Sequence, residues 1–256
     1  MPPTAPYSSE TISLLQHRVS VRKYTEKPVP EDMVEAILEA AFRAPTSSNI
    51  QAYSVIVVRD KNTLQKLSVP TGNQQHVANT PVFLAFCADL TRMQWAMEKN
   101  AKSIDDNNLE LGLVSAVDAT LVGMATSLAA ESLGLKGVMI GAVRNDPNTV
   151  ADILGLPQKV FCVFGMCLGW PGDVPQQKPR MQPSAMVHLE RYGHHKNGGD
   201  GKQMLDDYDR DLSTHYTNIN KPTTPASWTH EIASKFSPAP RGGLRAALKQ
   251  RGFDFS

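Results

Sequence analysis

Cysteine is scarce in this chain of 256 residues: Cys87, Cys162 and Cys167 are the only three. Three are too few and too ill-spaced for a disulfide framework, so a reducing compartment is the simpler setting and stability must come from a buried core. Excess charge of either sign is also missing. The 26 basic residues are scattered without a run and the formal net charge is +1. Bulk electrostatic attraction to nucleic acid or to an acidic membrane surface is therefore excluded as the basis of function. The chain has no G-x-G-x-x-G and no G-x-x-x-x-G-K-[ST]. A dinucleotide Rossmann site or a P-loop would need those glycines for close backbone approach to phosphate. It has neither G-x-S-x-G nor H-E-x-x-H, which removes the familiar serine-hydrolase and zinc-protease signatures. Residues 1–9 lack a charged n-region and an apolar h-region, so no secretory signal is expected.

What is present is enough apolar residue for one sizeable core, with or without an excursion. The one long apolar stretch runs from Leu111 to Leu133. It carries Asp118 and Glu131 and is rich in Ala, Ser and Thr. A membrane span tolerates such charges poorly, so the stretch reads as a central helix of a folded core, and no membrane partner is expected.

The spacing of apolar residues predicts helices over Ser9–His17, Glu31–Phe42, Thr63–Leu67, Arg92–Asn107, Leu111–Leu133 and Pro147–Leu154. Pro30 suits a first helical turn, and Glu31 and Asp32 suit the positive end of the helix dipole. Strands are predicted over Tyr53–Val58, Val82–Ala88, Gly137–Val143 and Lys159–Leu168. Interleaved helices and strands argue for a sheet layered with helices. Residues 193–202 shift to Gly, His, Asn and Lys and read as a loop. Beyond it, helices are expected over Gln203–Tyr216, Trp228–Phe236 and Leu244–Arg251, with a Pro/Thr loop over Lys221–Ser227. They carry few apolar anchors, so they are expected to pack on something else.

Arg18, Ser20 and Arg22 recur at every second residue of His17-Arg18-Val19-Ser20-Val21-Arg22-Lys23-Tyr24. In an extended segment alternate side chains share a face, so two guanidiniums and a hydroxyl converge there. A solvated turn explains this pattern as well as an anion site does. Lys178-Pro179-Arg180 adds two cations about a rigid proline. If both segments served one ligand, a phosphomonoester would suit them, because arginine offers a planar fork of donors.

Five ordered segments resemble the signatures of the nitroreductase family of FMN-dependent oxidoreductases, in the branch of the oxygen-insensitive NADPH nitroreductases and NADPH-flavin oxidoreductases. The first is His17 to Tyr24 and the second is Pro45-Thr46-Ser47-Ser48-Asn49-Ile50-Gln51. The third is Thr71-Gly72-Asn73-Gln74-Gln75-His76-Val77-Ala78-Asn79 and the fourth runs from Gly134 to Asn145. The fifth is Phe164-Gly165-Met166-Cys167-Leu168-Gly169-Trp170-Pro171 followed by Lys178-Pro179-Arg180.

The resemblance implies an α+β fold with a central mixed, mostly antiparallel sheet flanked by helices in three layers, in an obligate homodimer. It implies an FMN-binding core over residues 1–192 and a C-terminal helical excursion over 193–256 that packs on the core or the dimer partner. Arg18 and Ser20 would hold the FMN phosphate with Lys178 and Arg180. Arg22 would stabilise the negative charge of the reduced flavin. Gln74 and His76 would hydrogen-bond the ring edge or ribityl chain. Met139, Ile140 and Gly141 would lie along the ring. Thr46, Ser47 and Asn49 would come from the other subunit.

The implied activity is ping-pong, two-electron reduction of nitroaromatics, quinones or related small acceptors, with NADPH or NADH as donor, in the cytoplasm. Alternatives are a flavin reductase that feeds reduced FMN to a partner monooxygenase, and a flavin-binding protein without turnover. No catalytic side chain is required, because the cofactor carries the chemistry. Three positions depart from the family pattern. Val19 stands where many relatives have a second arginine, and Asn49 where close relatives often have an aromatic. Asn218-Ile219-Asn220-Lys221 stands where NADPH-specific relatives carry an arginine.

His188, His194 and His195 fall close together, but no Cys, Asp or Glu pattern joins them, and no metal is expected. Cys162 and Cys167 are at odd separation in one strand, so they are expected to face opposite sides as small core residues. Trp170 reads as an aromatic stop to that strand.

Overall fold

A computed structural model describes residues 7–105, 108–194, 201–221 and 227–254. They form two compact units, one of residues 1–175 with 241–256 and one of 176–240.

In chain order the first unit holds α1 (Glu10–His17), β1 (Lys23–Tyr24), α2 (Glu31–Ala41), β2 (Tyr53–Val58), α3 (Lys61–Ser68), α4 (Gln75–Ala78) and β3 (Val82–Asp89). It continues through α5 (Thr91–Glu98), α6 (Leu109–Ser132), β4 (Lys136–Ile140), α7 (Pro147–Leu154), β5 (Val160–Gly169) and β6 (Pro171–Asp173). The second unit holds α8 (Pro183–Met186), α9 (Gly201–Asn218) and α10 (Trp228–Phe236). The chain then returns to the first unit with α11 (Leu244–Gln250).

The main sheet has the order β2-β3-β5-β4, with each neighbouring pair antiparallel. β1 and β6 make a second, small antiparallel ladder. All eight residues of β3 are buried, as a strand covered on both faces must be. Phe83, Ala85 and Cys87 point into one core with Leu64 and Leu67 of α3 and Val150 and Ala151 of α7. Val82, Leu84 and Phe86 point into the other with Val34, Ile37 and Ala41 of α2 and Ala119, Val122 and Ala130 of α6. The period of two thus sorts one strand's side chains into two helical layers, which makes an α+β sandwich of three layers.

Caps fix where the helices begin. Ser9, Asp60, Asn108 and Asp146 each accept a hydrogen bond from a backbone N–H of the first turn of α1, α3, α6 and α7. Gly123 lets α6 lie close on the sheet. A Cβ there would stand 2.3 Å from the Phe164 ring, which itself stacks on Phe86 at 4.9 Å. By length and composition α6 could cross a membrane. Here it packs on α2 and on β3.

Several expectations need correction. The helix expected over Arg92–Asn107 stops at Glu98; the backbone then turns through Ala101 at φ 54°, and residues 106–107 lie outside the described set. The strand expected over Gly137–Val143 ends at Ile140, and Gly141–Arg144 is a short 3-10 turn. Cys162 and Cys167 share one side of the sheet rather than opposite sides. The register shifts between Phe86 and Cys87, so that Cys87 pairs with Cys162 and Phe86 with Phe164. Val163 is the extra residue, and a bulge of one residue reverses the alternation beyond it. Hydrogen bonding to Cys87 and burial push the Cys162 thiol up. Burial pushes Cys167 up to about 12, against the opposing pull of Thr80 and Arg22. All three cysteines are buried and free. The loops expected at 193–202 and 221–227 fall largely outside the described residues, as does His195.

Candidate active site

α1 ends at His17, and Arg18 is already extended, at φ −63° and ψ 129°. From there Val19 and Val21 are buried while Arg18 and Ser20 are half-buried and Arg22 is exposed. The alternation read from the sequence is therefore real: the two valines anchor the strap and the polar residues face outward together. The Val21 N–H donates to the Gly137 carbonyl at 3.0 Å and so lays the strap along β4. The Tyr24 hydroxyl donates to the Val21 carbonyl at 2.9 Å.

Gly72 at φ 84° and Asn73 at φ 55° turn the chain into α4, which carries His76. Burial and the nearby Arg22 charge hold the His76 imidazole below its usual range. Arg22 and His76 are therefore brought to one place from segments about 50 residues apart. Gln74 stands just before α4. Its Oε1 is buried and has no hydrogen-bond partner, an orphan acceptor of the kind that a ligand or ordered water satisfies.

β4, bound to the strap through Gly137, ends at Met139 and Ile140, and Gly141 opens the turn that follows. Met139 is 41 % exposed while Ile140 is buried, so a thioether lies open at the strand end beside the strap. A Cβ at Gly141 would sit 3.3 Å from the Arg144 guanidinium. Arg144 donates to the Val163 carbonyl and pins the 3-10 turn to β5.

Thr46, Ser47 and Asn49 occupy a separate loop between α2 and β2. Ser47 and Asn49 are exposed and Thr46 is half-buried. Asp118, fully buried on α6, accepts from the backbone N–H of Ser47 and of Ala52. By sequence Asp118 reads only as a charge unsuited to a membrane, and an acid in the middle of an apolar helix is the one local signal for this anchor.

Lys178 and Arg180 belong to the second unit. There Lys178 Nζ donates to the Tyr216 hydroxyl at 2.7 Å, and that hydroxyl donates to Glu231 at 3.0 Å. Tyr208 donates to the Pro179 carbonyl between the two cations at 3.2 Å. A cleft of about 870 Å³ lies elsewhere on the first unit, between the 24–29 segment and α3. None of the expected site residues lines it. No group of three or more His, Cys, Asp or Glu with metal-holding geometry occurs among the described residues.

A family model described as the nitroreductase family matches residues 15–170, and one for its C-terminal domain matches residues 178–256. The chain is 33 % identical over 244 residues to an FMN reductase (NADPH) of Bacillus subtilis, covering 94 % of this chain and 97 % of that protein. It is 36 % identical over 253 residues to an oxygen-insensitive NADPH nitroreductase of Salmonella typhimurium, covering 96 % and 98 %. The solved structure of NfrA2 from B. megaterium superposes with a TM-score of 0.91 at 35 % identity, over 97 % of this chain and 100 % of that one. The family models, these relatives and the shared fold show that the chain belongs to the nitroreductase family.

Proposed function

We propose that Arg18, Ser20, Arg22, Gln74, His76, Met139, Ile140 and Gly141 form one wall of an FMN site. Lys178 and Arg180 serve its phosphate end, and Thr46, Ser47 and Asn49 of a second copy close it. The protein is an FMN-dependent NAD(P)H oxidoreductase of the nitroreductase/flavin reductase type. The family membership supports that activity, and the observation that carries the site is the outward row Arg18, Ser20 and Arg22, whose Arg22 charge reaches His76, two residues on from the orphaned Gln74 oxygen.

The residues fit the cofactor. The Arg18 guanidinium and the Ser20 hydroxyl suit a phosphate dianion, and a ring N–H is the donor that Gln74 Oε1 lacks. When bound, FMN supplies two-electron chemistry, taking a hydride from NADPH or NADH and reducing a nitroaromatic, a quinone or a related acceptor in turn. Arg18 and Ser20 bind and orient the phosphate. Arg22 holds a fixed positive charge at the site, placed to stabilise a developing anion. Burial and the Arg22 charge hold the His76 imidazole below its usual range, which favours the neutral ring that both donates and accepts. Met139 offers an apolar surface that excludes water from its side of the pocket. No protein nucleophile is needed.

The exposed face of α6 supports a homodimer. That helix is apolar on all sides, yet Leu109, Leu113, Val117, Leu121 and Met124 are between 37 % and 57 % exposed along one face. A helix apolar all round is a buried helix, and a second copy of this chain would bury it. The proposed packing of the C-terminal segment on the core gains support from α11, which lies on α7. Asn148 donates to Gln250 there at 2.7 Å. Three free buried thiols suit the cytoplasm.

The relative named FMN reductase favours a second reading, a flavin reductase that hands reduced FMN to a monooxygenase. Loss of FMN during gel filtration would point to it, and retention to the nitroreductase. The test of the site is Arg18→Ala. Removing one arginine–phosphate bond should weaken FMN binding by roughly 10- to 150-fold; unchanged affinity would remove Arg18 from the phosphate site.

A further inference from the structure

We infer that Asp118 and Arg92 are positioning residues that hold the 46–52 loop in a strained shape for the cofactor site of a second copy. This rests on the proposed placement of Thr46, Ser47 and Asn49 in that site. The loop is unusual for its backbone. Ser48, Asn49 and Gln51 adopt φ of 46°, 56° and 52°, and none is glycine. Residues with a Cβ avoid this left-handed region, and runs of them persist only where the surroundings over-determine the chain.

The surroundings here are two charged side chains from two helices. Asp118 is 0 % exposed. Its Oδ1 accepts from the Ser47 N–H and its Oδ2 from the Ala52 N–H, each at 3.1 Å. One carboxylate thus closes both ends of the loop. Arg92 of α5 grips the following segment: it donates to the Gln51 carbonyl at 3.1 Å and to the Tyr53 carbonyl. It also donates to Ser54 Oγ and to Asp89 Oδ2, both at 3.1 Å. Inside the loop, Gln51 Nε2 donates to the Asn49 carbonyl at 3.3 Å and to its side-chain oxygen at 3.2 Å, which fixes how Asn49 is presented.

A loop that served only to link α2 to β2 would need neither the strain nor a buried carboxylate. The constraint yields a rigid, exposed row of Ser47, Ser48 and Asn49. Asp118 also sits between Val117 and Leu121, which are 53 % and 38 % exposed on the face proposed for the second copy. One helix therefore fixes both the subunit contact and the loop that crosses it.

The test is Asp118→Asn, nearly isosteric, whose amide NH2 would oppose one of the two backbone N–H groups. Ser115→Ala, on the same buried helix but bonded only within it, is the control for lost stability. The clamp predicts an FMN dissociation constant, by flavin fluorescence, raised about tenfold or more in Asp118→Asn, because small misplacements of a binding group are costly. It also predicts a higher KM for the acceptor and faster amide exchange over 46–52 in the cofactor-free protein. Ser115→Ala should show none of these at a matched Tm. Wild-type values in Asp118→Asn, or equal changes in both variants, would overturn the inference. Should Asp118→Asn fail to fold, Arg92→Lys at the helix surface should still raise the KM, and a wild-type KM there would overturn it equally. Failure of the wild type to take up FMN would instead sink the functional reading.

Discussion

Replacing Leu113 by aspartate should dissociate the proposed dimer. Leu113 and Val117 are each 53 % exposed on α6. Full burial of a leucine is worth about 1.5–3 kcal/mol, so the half still open is worth about 1 kcal/mol. A two-fold axis places the residue in the interface twice, which makes the lost apolar burial about 2 kcal/mol per dimer. Each new carboxylate must also leave water without a partner, at a cost of at least about 2 kcal/mol apiece. The sum, about 6 kcal/mol, is roughly four decades in the dissociation constant. Sedimentation velocity across a dilution series reads this directly. Near-ultraviolet circular dichroism establishes that the subunit is still folded. Val69→Asp is the control: Val69 is 62 % exposed but caps α3, in the layer on the other side of the sheet. A folded Leu113→Asp protein that associates like the wild type would refute the assignment of α6 to the interface.

Two further outcomes concern titration. The folded-state pKa of His76 lies below its ordinary value of 6.5 through burial and the Arg22 charge; NMR should show a depressed midpoint that rises in Arg22→Gln. Because the unfolded chain then binds the proton more readily, His76 lowers stability as pH falls below about 6.5, and an ordinary midpoint in the wild type would contradict the contact. Asp89, nearly buried, is pushed up by burial but held below the usual carboxylate range overall by hydrogen bonds from Ser54 and Thr91 and by Arg92. Its contribution is present above about pH 3.9 and is lost as pH falls through the folded-state value. Asp89→Asn should cost roughly 1.5 to 2 kcal/mol near neutral pH by chemical denaturation, mostly through the hydrogen bonds of the buried carboxylate because Arg92 is half exposed, and a change under about 0.5 kcal/mol would argue that the network is slack.

How far the sequence reaches depends on whether a feature is local. β2, α7 and α10 have the bounds that their residues predict, because β-branched density, Pro147 after a capping Asp146, and Ser227 before Trp228 are local signals. The Arg18–Ser20–Arg22 face was likewise legible from alternation. What escaped is set by distant partners. The bulge at Val163 depends on pairing with Phe86 and Cys87, so strand parity could not place Cys162 and Cys167. The stop of β4 at Ile140 depends on Arg144 reaching the Val163 carbonyl. Asp118 acts on residues 66 and 71 positions away, and no spacing rule reveals that. The return of α11 to the first unit rests on Phe253, whose ring meets Phe161 edge-on at 4.7 Å, a contact between the C-terminal segment and β5.

The most direct test of the account is an absorbance spectrum of the purified protein, followed anaerobically by NADPH and then by NADH. The account predicts a flavin band, present or restored by added FMN, that bleaches with a nicotinamide donor and returns when a nitroaromatic or quinone is added. A protein that takes up no FMN, or holds FMN that neither donor bleaches, would contradict it.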